Sequence, residues 1–194
     1  MTSHVRSVCV LCGSREGHNP AYRDAAARLG AILADERVRL VYGGGSIGLM
    51  GVIADAVLSG GGQVVGVIPD FLLKYEVGHR QLSELITTGS MQDRKRVMFE
   101  MSDGFVVLPG GLGTLDEAFE YITWKQLRLH AAPIVVLDID GYWEPFHKLV
   151  EAVVAARFAD PMAGSLYSVV TAAEDVLPAL DAAPLVQPSA SRRL

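Results

Sequence analysis

Short runs of Val, Ile and Leu alternate with helical segments along nearly the whole chain, and this alternation limits the fold more than any other feature. Strand-like runs fall at 8–11, 40–42, 64–68, 105–108 and 134–137. The spacing predicts helices over 20–35, 48–59, 91–101, 114–127 and 142–156, then a last strand at 168–170 and a helix at 172–180. Strands that are apolar on both faces belong to a parallel sheet covered on both sides. Their alternation with helices predicts an α/β chain, a three-layer Rossmann-like fold with a mostly parallel sheet. Half of the 194 residues are apolar, enough for one sizeable core. Residues 1–183 read as a single domain, and the Pro/Ser-rich stretch 184–194 as a disordered tail.

A formal net charge of -5 argues against a general nucleic-acid coat. No apolar run approaches the ~18 residues that would span a bilayer. The run at 8–11 is too short for a signal-peptide core and turns directly into Gly13. A cytoplasmic protein with no nucleic-acid or membrane partner is expected. The two cysteines, Cys9 and Cys12, have C-x-x-C spacing, but on a strand positions i and i+3 face opposite ways. No second pair completes a zinc site. Cys9 reads as a buried apolar residue and Cys12 as a turn residue.

In open α/β sheets the ligand crevice lies beyond the carboxyl ends of the strands. Three glycine-bearing turns fall there: Gly13-Ser14-Arg15, Tyr42-Gly43-Gly44-Gly45-Ser46, and Pro109-Gly110-Gly111-Leu112-Gly113-Thr114. The last is the most informative, because strand, glycine turn and helix start together present backbone N–H groups to an anion. Gly43 through Gly48 also matches G-x-G-x-x-G, with Asp70 at a plausible distance for a ribose-binding acid. That fingerprint normally opens the first strand–helix unit, whereas here a complete unit precedes it. A ligand-facing loop that includes Gly44 and Ser14, but not a dinucleotide site, is the reading favoured.

Two constellations carry the chemistry. Thr114 and Glu117 have capping-box spacing, which accounts for one carboxylate but not for the preceding glycines or for Asp116 and Glu120. If a phosphate binds the turn, Glu117 faces the sugar instead. Ser90 and Asp93 form a second capping box, which places Arg94 and Lys95 near the end of the first turn. Cations there oppose the helix dipole. They are either a solvated face or ligands for an anion, since a guanidinium grips phosphate through a bidentate fork. Arg96 reads as a surface residue, Met91, Met98 and Met101 as a core stripe, and His79, His130 and His147 as structural. The segment 114–129 carries apolar residues on more than one face, among them Phe119, Trp124 and Leu127. A helix apolar on several sides is interior or pressed on a partner, and a homodimer with active sites near its interface is expected.

Taken together, these residues resemble the Lonely Guy family of cytokinin riboside 5′-monophosphate phosphoribohydrolases, long mislabelled lysine decarboxylases. The family's P-G-G-x-G-T-x-x-E motif is complete from Pro109 to Glu117, and its M-x-x-R-K segment stands at Met91-Gln92-Asp93-Arg94-Lys95. The similarity runs from about Ser7 to Leu180. It implies Arg94 and Glu117 as a catalytic pair, with Lys95, Gly110, Gly111, Gly113 and Thr114 holding phosphate or ribose. Glu76 and Thr123 match weaker substrate-contact positions, and Asp116 and Leu112 depart from the common residues at the pocket. The implied reaction is hydrolysis of the N-glycosidic bond of an N6-substituted adenosine 5′-monophosphate to free base and ribose 5-phosphate, without metal or organic cofactor. The same chemistry on plain AMP or another purine nucleotide, and a non-catalytic nucleotide or cofactor carrier on this fold, are the rival readings. A carrier needs the phosphate loop but no carboxylate at the sugar.

Overall fold

A computed structural model describes residues 5–74 and 81–182. Its centre is a seven-stranded sheet in which every adjacent pair is parallel. In chain order the elements are β1 (Ser7–Leu11), α1 (Pro20–Asp35), β2 (Arg39–Tyr42), α2 (Gly48–Ser59), β3 (Val64–Pro69), β4 (Glu84–Thr88) and α3 (Met91–Glu100). They continue with β5 (Gly104–Val107), α4 (Leu112–Gln126), β6 (Ile134–Leu137), α5 (Glu144–Ala155), β7 (Ser168–Val170) and α6 (Val176–Ala182). Across the sheet the order is β4-β3-β2-β1-β5-β6-β7. The chain therefore builds outward from β1 to β4, then returns to lay β5 on the other side of β1. That reversal leaves a crevice at the carboxyl ends of β1 and β5.

The sheet is buried on both sides. Val8 and Val10 of β1 pack with Leu29 of α1, Ile53 of α2 and Val176 of α6. Cys9 and Leu11, one residue out of phase, pack with Met98 of α3, Tyr121 of α4 and Phe146 of α5. β1, β3, β5 and β6 have no exposed position, which is why they are legible as continuous apolar runs. The two cysteines part to opposite cores as the strand period requires. Both are free and buried, so Cys12 is no simple turn residue, and burial pushes both thiols up.

Three departures from expectation bear on the fold and the site. β4 has no counterpart in the apolar pattern, because it is an edge strand with four of its five residues at least partly exposed. It joins the sheet through backbone pairing with β3, from Val65↔Glu84 to Pro69↔Thr88. The last helical segment breaks into a 3-10 turn at Ala173–Asp175 followed by α6. Pro178 lacks an N–H and would clash with the carbonyl four residues earlier, so it fits only the first turn of a helix. α4 begins two residues before Thr114, with Gly111 as N-cap and Leu115 N–H already bonded to Gly111 O at 3.0 Å. Thr114 and Glu117 therefore make no capping box, and both side chains are free for other work. No helix among the described residues is long and apolar enough to cross a membrane. The tail 184–194, Glu76 and His79 lie outside the described residues.

Candidate active site

The loops after β1, β2 and β5 meet at the reversal of strand order. Gly13 N–H donates to Pro109 O at 3.0 Å, and Met50 N–H to Gly13 O at 3.3 Å. These bonds tie the first glycine turn to the third and to the start of α2. Gly48, in left-handed backbone at φ 64°, permits the last contact. A Cβ there would fall 2.2 Å from the Ser14 carbonyl carbon. Between the loops lies a cleft of about 240 Å³. Its walls come from Val10, Cys12, Gly13 and Ser14 after β1, Gly43 after β2, Met50 on α2 and Leu72. Met91 and Arg94 on α3, and Gly111, Leu112, Gly113, Thr114 and Glu117 around the start of α4, complete it.

Arg94 is placed by a short chain of causes. Ser90 Oγ accepts from Asp93 N–H at 3.1 Å and its hydroxyl donates to Asp93 Oδ2 at 2.7 Å, which starts α3 and sets its phase. Arg94 then points inward with 8 % of its surface exposed. Its Nε donates to Val67 O at 3.0 Å, and Nη1 donates to Glu117 Oε1. Nη2 occupies the space over Gly43, where a Cβ would lie only 2.1 Å away. Glu117, on the buried face of α4, is 6 % exposed. Burial pushes its carboxyl above the usual carboxylate range, while the charge and hydrogen bond of Arg94 pull it part of the way back.

Lys95 takes the next step along α3. Its ammonium lies 3.0 Å from Asp116 Oδ2 and 2.9 Å from Glu120 Oε2. Burial works against the ammonium, but those two carboxylates outweigh it and hold its pKa above the ordinary lysine value. Tyr121 adds a third tie, its hydroxyl donating to Lys95 O at 2.9 Å. All three acids near the start of α4 are thus matched to cations of α3. That pairing removes the repulsion an anion at the glycine turn would otherwise meet. The first turn of α4 itself holds no acid, and its leading N–H groups have no partner within the helix. A Cβ at Gly111 or Gly113 would meet nothing within 4 Å, so neither glycine is required by packing. Such a turn binds oxyanions through its backbone and the helix dipole.

Of the residues singled out in the sequence, Ser14, Arg94, Gly111, Gly113, Thr114 and Glu117 line the cleft. Gly110 lies behind the turn, where a Cβ would strike Thr114 Oγ1. Lys95 and Asp116 face each other outside the cleft, and Thr123 is exposed farther along α4. Gly43 faces the cleft in place of Gly44, whose left-handed backbone (φ 77°) packs against Ile68. Sequence reasoning missed Cys12, Met50 and Leu72. It assigned Met91 to the core, whereas the structure sets Met91 at the cleft wall. The signal was present, since Met91 and Arg94 are three apart and share a helix face. His130 is structural: Nδ1 accepts from Ala132 N–H at 3.1 Å, so Nε2 donates to Tyr121 O at 2.9 Å. Burial lowers its pKa. The apolar spread of α4 is mostly consumed within the chain, with Phe119 against Phe146 and Tyr121 and Trp124 against Phe99. Leu112 and Leu127 remain exposed. Among the described residues no group of three or more His, Cys, Asp or Glu side chains could hold a metal ion.

A family described as "Possible lysine decarboxylase" matches residues 50–180. A probable cytokinin riboside 5′-monophosphate phosphoribohydrolase of Oryza sativa subsp. japonica is 50% identical over 159 residues, 82% of this chain and 70% of that protein. A cytokinin riboside 5′-monophosphate phosphoribohydrolase of Arabidopsis thaliana is 43% identical over 161 residues, 83% of this chain and 74% of that one. Among solved structures, a molybdenum cofactor binding protein from Rippkaea orientalis superposes with a TM-score of 0.67. It is 20% identical and covers 91% of this chain and 96% of its own. At that identity the likeness is one of fold.

Proposed function

The chain belongs to the Lonely Guy or "Possible lysine decarboxylase" family, and from that premise we propose that it is a phosphoribohydrolase of N6-substituted adenosine 5′-monophosphates. The observation that carries this reading is the buried pair Arg94–Glu117 in the wall of a cleft that also holds the N-terminus of α4. The helix start takes the 5′-phosphate, and the carboxylate then stands at the pentose. Glycosidic cleavage proceeds through an oxocarbenium-like transition state. Glu117 opposes that developing positive charge and accepts a proton from the attacking water. The water oxygen bonds to C1′, the electron pair of the C1′–N bond leaves with the base, and the base takes up a proton. The products are free base and ribose 5-phosphate. Arg94 keeps Glu117 ionised and oriented, and contacts the nucleotide. Phosphate binding far from C1′ serves to position the reacting carbon. No cofactor enters this scheme.

The fold is shared with a cofactor-binding protein, but a carrier gives no use for a buried carboxylate held by a guanidinium at the sugar position. A homodimer in the cytoplasm is part of the same proposal. The exposed Leu112 at the cleft supports a partner near the site. Light scattering in solution tests the dimer. The activity is tested by incubating the protein with isopentenyladenosine 5′-monophosphate, its nucleoside and AMP, and measuring free base. Release from the substituted monophosphate ahead of the other two is expected. No base from any of them overturns the reading, and equal release from the nucleoside overturns the phosphate anchor.

A further inference from the structure

We propose that Tyr142 is a positioning residue for the phosphate cradle, locking one peptide plane so that the Gly111 N–H stays aimed at the ligand. This rests on the hydrolase reading of the cleft. The Tyr142 hydroxyl donates to Gly110 O. Tyr142 does not line the cleft, whereas Gly111 does. The Gly110 carbonyl is therefore drawn to the side away from the ligand. A trans peptide is planar, so its C=O and the following N–H point in opposite directions. Fixing the Gly110 carbonyl on Tyr142 thus turns the Gly111 N–H toward the cleft. Glycine on both sides makes this the peptide in the turn that rotates with least steric resistance. A lock on it has a purpose that a lock elsewhere would lack.

The surroundings of Tyr142 keep the hydroxyl on target. Asp140 and Gly141 hold consecutive left-handed conformations, at φ 52° and 73°. Asp138 Oδ1 accepts from Trp143 N–H at 2.8 Å, and Tyr142 N–H donates to Ile139 O at 3.1 Å. Asn19, which caps α1 through Ala21 N–H, also donates from Nδ2 to Asp140 Oδ2 at 2.8 Å. The ring packs edge-on against Tyr22, with centroids 5.2 Å apart. A loop braced at both ends and from α1 presents one hydroxyl to one carbonyl.

The test is Tyr142→Phe, which keeps the ring contacts and removes only the hydroxyl. With isopentenyladenosine 5′-monophosphate, KM should rise roughly three- to tenfold, the effect of one neutral hydrogen bond, while kcat stays within about twofold. In a second measurement inorganic phosphate is titrated while the Gly111 amide resonance is followed. Phosphate affinity at that amide should weaken by a similar factor, with the amides of β3 unmoved. Unchanged KM and unchanged phosphate affinity overturn the assignment. So does an equal loss of kcat with KM constant, or a general shift of core amides. If the wild-type protein releases no base yet its Gly111 amide responds to phosphate, the hydrolase reading falls and the titration alone decides the role of Tyr142.

Discussion

Gly43 and Arg94 share one volume: a Cβ on the glycine would sit 2.1 Å from Nη2 of the arginine and 3.0 Å from the Met50 sulfur. The absence of a side chain just after β2 is what leaves room for the guanidinium in the cleft wall. Gly43→Ala should therefore push Arg94 off Glu117. We expect kcat to fall at least tenfold, with about 1–3 kcal/mol lost to overpacking. Steady-state kinetics beside urea unfolding check both, and full activity would mean that Arg94 need not hold its present position.

Gly111 is the opposite case. It has ordinary negative φ and open space around its missing Cβ. Gly111→Ala should cost only about 0.5–1 kcal/mol, since alanine is a poorer N-cap than glycine, yet raise KM for the monophosphate by crowding the phosphate. Calorimetry and kinetics on one preparation separate the two effects.

Lys95 is expected to hold α3 to α4 rather than to bind substrate. Lys95→Met removes the partner of Asp116 and Glu120. The exposed Asp116 rehydrates readily, so the loss should be on the order of 1–3 kcal/mol, mainly from the less exposed Glu120. Urea titration measures it. A KM increase without any loss of stability would instead make Lys95 a phosphate ligand.

The pH profile follows from Glu117. In the proposed reaction its carboxylate is the working form, and burial holds its pKa above the ordinary value of 4.5. Activity should therefore fall as pH drops, beginning at a higher pH than an ordinary glutamate would give. Arg94 lowers that pKa, so Arg94→Met should move it farther upward. A carbon-13 NMR titration of Glu117 in the two proteins reads the shift directly. A downward movement would contradict the assigned electrostatics.

Much of this architecture is legible from side-chain pattern, because buried parallel strands must be apolar on both faces. β4 escaped for the converse reason: an edge strand is held by its backbone, and Glu84 or Thr87 has no burial to advertise. The pairing of Arg94 with Glu117 was accessible through two motifs, yet nothing local joins residues 23 apart on separate helices. Gly43 rather than Gly44 faces the cleft because the left-handed turn at Gly44 rotates the chain, and run-on glycines do not reveal their own phase. The start of α4 was misplaced for a related reason. Thr114 and Glu117 mimic a capping box, while the true cap is a glycine without a side-chain signal.

The most direct measurement is a crystal structure of Glu117→Gln, which the proposed reaction expects to be inactive, soaked with isopentenyladenosine 5′-monophosphate. We expect phosphate oxygens within hydrogen-bond distance of the N–H groups from Gly111 to Thr114, with C1′ beside residue 117 and Arg94. A nucleotide bound with its phosphate away from α4, or with its pentose turned from residue 117, would contradict the account.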